Sequence, residues 1–377
     1  MIGFVPAVTA FGYSVPQTVV LVFVALVVGL LLAVQFYLTI GLSVYRSVKQ
    51  TRRDRVESEL RGELLDRLFA EDPDWEAWVS DLSSVERDVV ESLLDEHLRE
   101  LDGTEAETLR GLGDALEIPE HAGRRLEAGD EYERLHALTW LTLLRRPGPY
   151  LDSSFEPRTP RERASVVTLL EQTDRLADEE TGIAILLDGI DAQFTVFGQD
   201  TLYRVARRDP APLLRTASEA YQTWPEPLLG QVLAVCAQLE TSVRDGELAW
   251  IVAVLETGTE ATRAAAADAL ASFGWRASLR YRSFLERAVN DPSPRVRNAV
   301  YGMLASWGDR AALDVLQQAL AEETDPSALT AGMTALARRQ DHFETDPGVM
   351  LGAAWDWSLE HVEYDRLARR AETRKVR

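Results

Sequence analysis

Hydrophobic positions follow two regimes along this chain. From Val19 to Leu42 the sequence reads VVLVFVALVVGLLLAVQFYLTIGL, with Gln35 and Thr39 as its only clearly polar side chains. An uncharged apolar run of more than about 18 residues is long enough to cross a bilayer as a helix. At about 1.5 Å per residue the run reaches ~36 Å, against a hydrocarbon core of about 30 Å. The pattern predicts a transmembrane helix over 18–45, preceded by a short segment, 1–17.

After residue 45 the apolar positions recur with helical spacing. Leu60, Leu64, Leu65 and Leu68 form a stripe on a charged helix in the segment 46–74, which would extend the apolar helix as a stalk. Asp72-Pro73-Asp74 breaks it. Ser83-x-x-Glu86 is a capping box, opening a helix whose buried stripe is Val89, Val90, Leu93, Leu94, Leu98 and Leu101. Another helix follows in ETLRGLGDALEIP, stopped by Pro119. From there to 345, helical segments of about 10 to 16 residues alternate with Pro, Gly and Asp turns, and no period-two run argues for strands. In the segment 346–377, after Asp346-Pro347-Gly348, VMLGAAWDWSLEHVEYDRLARR is expected to form one long helix that caps the stack, with Trp355, Leu359, Val362 and Leu367 on its apolar face and a basic tail at its end. The expected fold is all-α, a stack of helix pairs over 75–345 behind a single transmembrane helix.

Charge supplies the orientation. No Asp, Glu, Lys or Arg precedes Arg46, whereas Arg46, Lys49, Arg52, Arg53 and Arg55 follow the apolar run closely. The positive-inside tendency then puts the N-terminus outside and the rest in the cytoplasm, tethered to the cell membrane. A cleaved signal peptide would need a basic start and a shorter apolar stretch. The net charge is −21, and of the 40 basic residues only Lys49 and Lys375 are lysines. An acidic, lysine-poor, arginine-rich composition is similar to that of salt-in halophilic archaea, whose molar salt screens self-repulsion. It argues against nucleic acid as a partner, which needs a basic stripe. The tail is the exception: Arg366, Arg369, Arg370, Arg374, Lys375 and Arg377. Their charge suits a helix C-terminus, and the alternative is contact with anionic lipid or an acidic partner.

The C-terminal third repeats itself. ATRAAAADALASFGWRA aligns with RVRNAVYGMLASWGDRA at an offset of 34, pairing Arg263 with Arg297 and Gly274 with Gly308. A third copy begins at Asp325-Pro326-Ser327, again 34 after Asp291-Pro292-Ser293. A period of this length built from two helices means an α-solenoid, in which no unit buries its apolar stripe alone. Asp291-Pro292, Val296-Arg297-Asn298-Ala299, Met303-Leu304, Gly308-Asp309 and Leu313-Val315-Leu316-Leu320 together resemble a HEAT repeat. The resemblance is clearest over 245–340 and fades over 75–240. The landmarks Arg263, Gly274, Asp291, Arg297, Gly308, Asp309 and Asp325 read as structural. The two aspartates 291 and 325 would cap following helices, and the arginines would ladder with acidic turn residues of a neighbouring repeat.

Chemistry is hard to find. His97, His121, His136, His342 and His361 form no metal-ligand spacing, no phosphate loop follows a strand, and no nucleophile elbow is present. Cys236 lies among apolar residues, which suits a small buried hydrophobe better than a nucleophile. No catalytic, cofactor or metal residue is assigned. Nine tryptophans are spread along the chain. Trp307 and Phe273 hold equivalent repeat positions, which argues for packing, with Trp275 more exposed.

The resemblance implies a non-enzymatic scaffold or adaptor that binds a protein partner at the membrane, with lipid met through Val19–Leu42. Two alternatives stay open. One is a structural subunit of a membrane enzyme complex, such as one built around a glycosyltransferase. The other is a HEAT-like lyase similar to those acting on tetrapyrroles. The residues name neither the partner nor the binding face.

Overall fold

A computed structural model describes residues 7–10, 13–16, eight positions between 22 and 36, 56–70, 72–149, 151, 155–239, 245–274, 284–343 and 346–375. Most of Val19–Leu42, all of Arg46–Arg55 and Trp275 lie outside the described residues. Among those described, no helix is long and apolar enough to cross a membrane. The chain divides into two compact units, 1–118 and 119–377.

The first unit opens with an antiparallel hairpin, β1 (Ala7–Ala10) and β2 (Tyr13–Pro16), with Ala7 opposite Pro16. Four-residue strands are too short to announce themselves by alternation, so nothing in the sequence pattern signals this pair. Eight described positions between 22 and 36 are helical, and after residue 55 come α1 (56–68), α2 (Trp75–Asp81), α3 (Ser84–Glu100) and α4 (Thr104–Ala115). α1 is not a free stalk. Leu60, Leu64 and Leu68 are buried, Arg61 pairs with Glu96 of α3 (3.0 Å), and Glu63 accepts from the Trp78 indole of α2 (3.0 Å). The division between units thus falls at 118/119 rather than at 74/75. The Ser83–Glu86 capping box forms in both directions, at 2.8 and 3.4 Å. Asp74 caps α2 through the Ala77 amide.

Among the described residues, the regular structure of the second unit is helical. In chain order come α5 (Ile118–Ala128), α6 (Glu131–Leu144), α7 (Pro160–Gln172), α8 (Glu179–Leu187), α9 (Val196–Ala206), α10 (Ala211–Ala220), α11 (Glu226–Cys236), α12 (Ala249–Thr257) and α13 (Glu260–Ser272). Then follow α14 (Phe284–Val289), α15 (Pro294–Trp307), α16 (Arg310–Glu322), α17 (Pro326–Ala337), α18 (Gly348–Leu351) and α19 (Ala353–Lys375). α5 was absent from the sequence expectation. Pro119 lies in its first turn, where a proline lacks only an amide that has no helical partner, whereas α4 has already ended at Ala115 and Glu117 turns the chain at φ +55°.

These helices make two layers. α6, α7, α9, α11, α13, α15, α17 and α19 pack side by side as the first layer. α8 and α10 begin the second, α12 and α14 continue it, and α16 with α18 ends it. From α7 to α17 successive first-layer helices start 30 to 36 residues apart, and α19 starts 27 after α17, so that among the described residues α5 and α6 are followed by six pairs and a final helix. Burial explains the arrangement. Each first-layer helix buries apolar residues toward both neighbours and toward its second-layer partner, as Val296, Val300, Met303, Leu304 and Trp307 do on α15. One continuous core runs from Ala164 to Val362, beside a smaller one shared by α5, α6 and α7. Cys236 is wholly buried in the main core, and burial pushes its thiol up to about 12, so it stays protonated and inert at neutral pH.

The expected long terminal helix is two. Gly352, at φ +61°, separates the single turn of α18 from α19, a conformation that glycine adopts without a Cβ penalty. Trp355 and Val362 are buried as expected, whereas Leu367 is exposed.

Candidate functional site: two staples between repeats and the faces they leave open

Each first-layer helix has orphan amides at its start and orphan carbonyls at its end. Neighbouring repeats satisfy them with side chains, and most sequence landmarks serve this purpose. At the start of the helices, Arg263 grips Asp291 with two bonds, Nε to Oδ2 at 2.8 Å and Nη2 to Oδ1 at 2.9 Å. Its Nη1 donates to the Gly258 carbonyl (3.0 Å) at the end of α12. One repeat on, Arg297 repeats the geometry with Glu323, at 2.7 and 2.8 Å, and Nη1 reaches the Asp291 carbonyl at 2.7 Å. Tyr301 adds a hydroxyl donor to Glu323 at 2.8 Å. Arg297 holds the Glu323 carboxyl down at about 2 against the opposition of burial, helped by the Asp325 amide and the Tyr301 hydroxyl. Burial and the same carboxylate push the Tyr301 phenol up.

Glu323 was not singled out in the sequence, and the reason is register. The Asp-Pro match at offset 34 pairs Asp291 with Asp325. The helices themselves begin at Pro294 and Pro326, an offset of 32, so Asp291 corresponds to Glu323. Each carboxylate accepts from the amide two residues on, Ser293 (2.8 Å) and Asp325 (2.8 Å). Capping therefore divides between the two aspartates. Asp325 is a true N-cap, accepting from Ser327 and Ala328 at 3.0 Å each, whereas Asp291 lies before the cap residue Ser293 and holds Arg263 instead. Asp309 occupies the N-cap position of α16 without a side-chain cap bond.

The arginine staple also appears where the sequence landmarks fade. Arg134, fourth residue of α6 as Arg263 is of α13 and Arg297 of α15, binds Glu162 of α7 at 2.9 and 3.0 Å, with both side chains buried. Its Nη1 donates to the Leu126 carbonyl of α5 at 2.6 Å. Burial opposes charge on Glu162, and Arg134 with the Arg158 amide outweighs it, leaving the carboxyl below its ordinary value. An arginine four residues into a helix, with a carboxylate about 28 residues on, was the signal available.

A second staple closes the helix ends. Ser272 of α13 donates to the Cys236 carbonyl of α11 at 2.9 Å, and Ser306 and Trp307 of α15 reach Ala271 and Leu270 of α13 at 3.0 Å each. Arg339, just past α17, donates to Ala305 (2.8 Å) and Ser306 (2.9 Å). Gly308 turns the chain out of α15 at φ +67°, and Gly274 adopts φ +73° after α13. The landmark residues therefore share the work of joining repeats rather than forming one pocket.

Residues 248–337 match the family model for HEAT repeats. This stretch is similar to HEAT repeats. No curated protein and no solved structure matches the chain. The match begins at Leu248, in the turn before α12, and ends with α17, so it spans the α13–α15 and α15–α17 junctions, which carry the Arg263–Asp291 and Arg297–Glu323 staples.

Two kinds of surface remain open on the HEAT-repeat stretch and its end. The outward side of α11, α13 and α15 is built from small residues, including Gly230, Ala265 and Gly302, with Asp268 and Arg295 as charged members. Burial by the surrounding helices raises the Asp268 carboxyl, and Arg295 partly offsets this. On the second layer, α18 is a single turn where the repeats before it place a longer helix. The gap leaves a recess of about 540 Å³ lined by Leu313, Asp314 and Gln317 of α16, by His342, Phe343 and Asp346, and by Val349 and Met350 of α18. Val349 is 88% exposed and Met350 55% exposed. Among the described residues no cluster of His, Cys, Asp and Glu is arranged to hold a metal ion.

Proposed function

We propose that this protein is a non-catalytic helical-repeat scaffold, held at the cytoplasmic face of a membrane by its N-terminal helix, that binds a protein partner along the repeat surface. The observation that carries the reading is the HEAT-repeat stretch, a continuous stack joined by side-chain staples that themselves leave the outward faces free. A stack of this kind offers an extended surface for a protein partner. The recess beside α18 has the size of a small-ligand cleft, and its exposed Val349 and Met350 suit an apolar side chain of that partner.

The described positions within Val19–Leu42 support the tether. Val22, Phe23, Leu26, Leu30, Leu31, Leu32 and Phe36 are helical and each at least 60% exposed. Exposed apolar side chains of this kind suit lipid, with Gln35 a polar position among them. The basic residues 46–55 suit the cytoplasmic side.

The test is crosslinking and co-purification of the full chain from its own membranes at molar KCl. Stoichiometric recovery of a protein crosslinked to the second unit supports the scaffold. Recovery alone, with a chromophore or small molecule bound, overturns it in favour of a cofactor-handling protein. Exchanging residues 18–45 for an unrelated membrane helix tests the tether. A pure tether tolerates the exchange, whereas a subunit that packs in the bilayer loses its complex.

A further inference from the structure

The last first-layer helix differs from the others. α19 has 23 residues, about 34 Å, whereas the first-layer helices before it have 11 to 14. Its inner side packs on α17 through Trp355, Ser358 and Val362, all buried. Its outer side ends the stack, and a terminal repeat normally turns a polar face to water. Here that side carries Trp357, His361 and Tyr364 at i, i+4 and i+7, with Leu367 beside them. Trp357 is 50% exposed, Tyr364 70% and Leu367 56%. His361 stacks flat on Trp357, with ring centres 5.1 Å apart and planes within 7°.

Charge along α19 is segregated. Residues 353–365 hold Asp356, Glu360, Glu363 and Asp365 and no Lys or Arg. Residues 366–375 hold Arg366, Arg369, Arg370, Arg374 and Lys375 against Glu372. This order favours a helix by itself through its dipole, so it would carry nothing alone. Together with the exposed aromatic stripe it selects an occupant. A helix lying on anionic lipid would press four carboxylates into the headgroups. A second α19 running parallel would set like charges side by side. A second α19 running antiparallel sets each acidic half against a basic half.

We propose that two copies of this chain pair antiparallel through the outer face of α19. The stripe from Trp357 to Leu367 forms the seam, and the acidic and basic halves fix its direction. Such an interface is self-complementary, as a two-fold axis requires, and its charges select the partner as flanking charges do in paired helices. A seam of 11 residues, about one and a half heptads, makes a small interface, which joint tethering to one membrane would strengthen through effective concentration.

The experiment uses the full-length protein in detergent, so its outcome does not depend on the scaffold or tether readings. Sedimentation equilibrium at about 100 µM and moderate salt is expected to show a reversible dimer. The double variant Asp356→Lys/Glu360→Lys and the double variant Arg374→Glu/Lys375→Glu are each expected to weaken self-association about tenfold or more. Mixing the two is expected to restore pairing as a heterodimer. Tyr364→Cys is expected to form an intermolecular disulfide that wild type, with only the buried Cys236, does not. Circular dichroism of each variant checks that the helix persists. A wild-type monomer at that concentration overturns the proposal, and so does a dimer indifferent to both charge reversals.

Discussion

The second unit solves one packing problem in two ways. Over 248–337, neighbouring repeats are joined by an arginine clamped to a carboxylate, Arg263 to Asp291 and Arg297 to Glu323. Over 160–236, neutral side chains share this work with ion pairs, Arg204 and Arg208 reaching Glu171 of α7 at 3.3 and 2.9 Å. Thr168 and Thr201 meet at 3.2 Å under Arg204, and the Gln231 amide takes both backbone groups of Phe194, at 2.8 and 2.9 Å. The helices stack in both stretches and share one core. What differs is the group that satisfies the turn. A repeat motif records one solution to that problem, and the stack itself rests on apolar burial common to both.

The comparison can be broken first at Arg134, where a charged staple lies in the early part of the unit. Arg134→Ala leaves the buried Glu162 carboxylate without its partner and is expected to cost about 3–5 kcal/mol in chemical denaturation. Replacing both residues with apolar ones of similar size should recover most of that loss. The neutral staple should weigh less. Gln231→Ala strands the Phe194 amide and carbonyl and is expected to cost about 1–3 kcal/mol. Equal losses at the two positions would mean that charge adds nothing to the junction.

Acid sharpens the contrast. Glu323 has a folded value of about 2, below the ordinary 4.5, so its contribution is complete above pH 4.5 and is lost as pH falls toward 2. Thermal melts of wild type across that window should drop, and Glu323→Gln should flatten the dependence attributable to this group. The smallest effects test the helix ends. Gly308→Ala, at positive φ and with a new Cβ 3.4 Å from Arg339, is expected to destabilise by about 1 kcal/mol. Gly302→Ala, within α15 and meeting nothing within 4 Å, is expected to stabilise by about 0.5–1 kcal/mol.

Much of the helical order was legible because burial on one side leaves a 3.6-residue trace. The capping box at Ser83, the repeat at Arg263 and Arg297, and the ends at Gly274 and Gly308 could be read directly. Glu323 was hidden because a two-residue deletion moved the helix start relative to the Asp-Pro marker. Arg134 and Glu162 were hidden because Arg–carboxylate spacing is common in a chain with so many charges. α5 was hidden because Pro119 reads as a helix stop, whereas it sits in the first turn of α5 and α4 ends before it, at Ala115.

By itself the sequence determined the helical class, the alternation of helices and turns, the uncharged stretch near the start and the repeats at the end. These follow from local spacing and composition, which need no distant partner. Only the tertiary structure decided which carboxylate each arginine holds, that α1 belongs to a packed unit, that α18 stops after one turn, and which side of α19 is left uncovered. Each depends on residues 20 to 40 positions apart meeting across a stack, and spacing along the chain does not encode which of many similar side chains will meet.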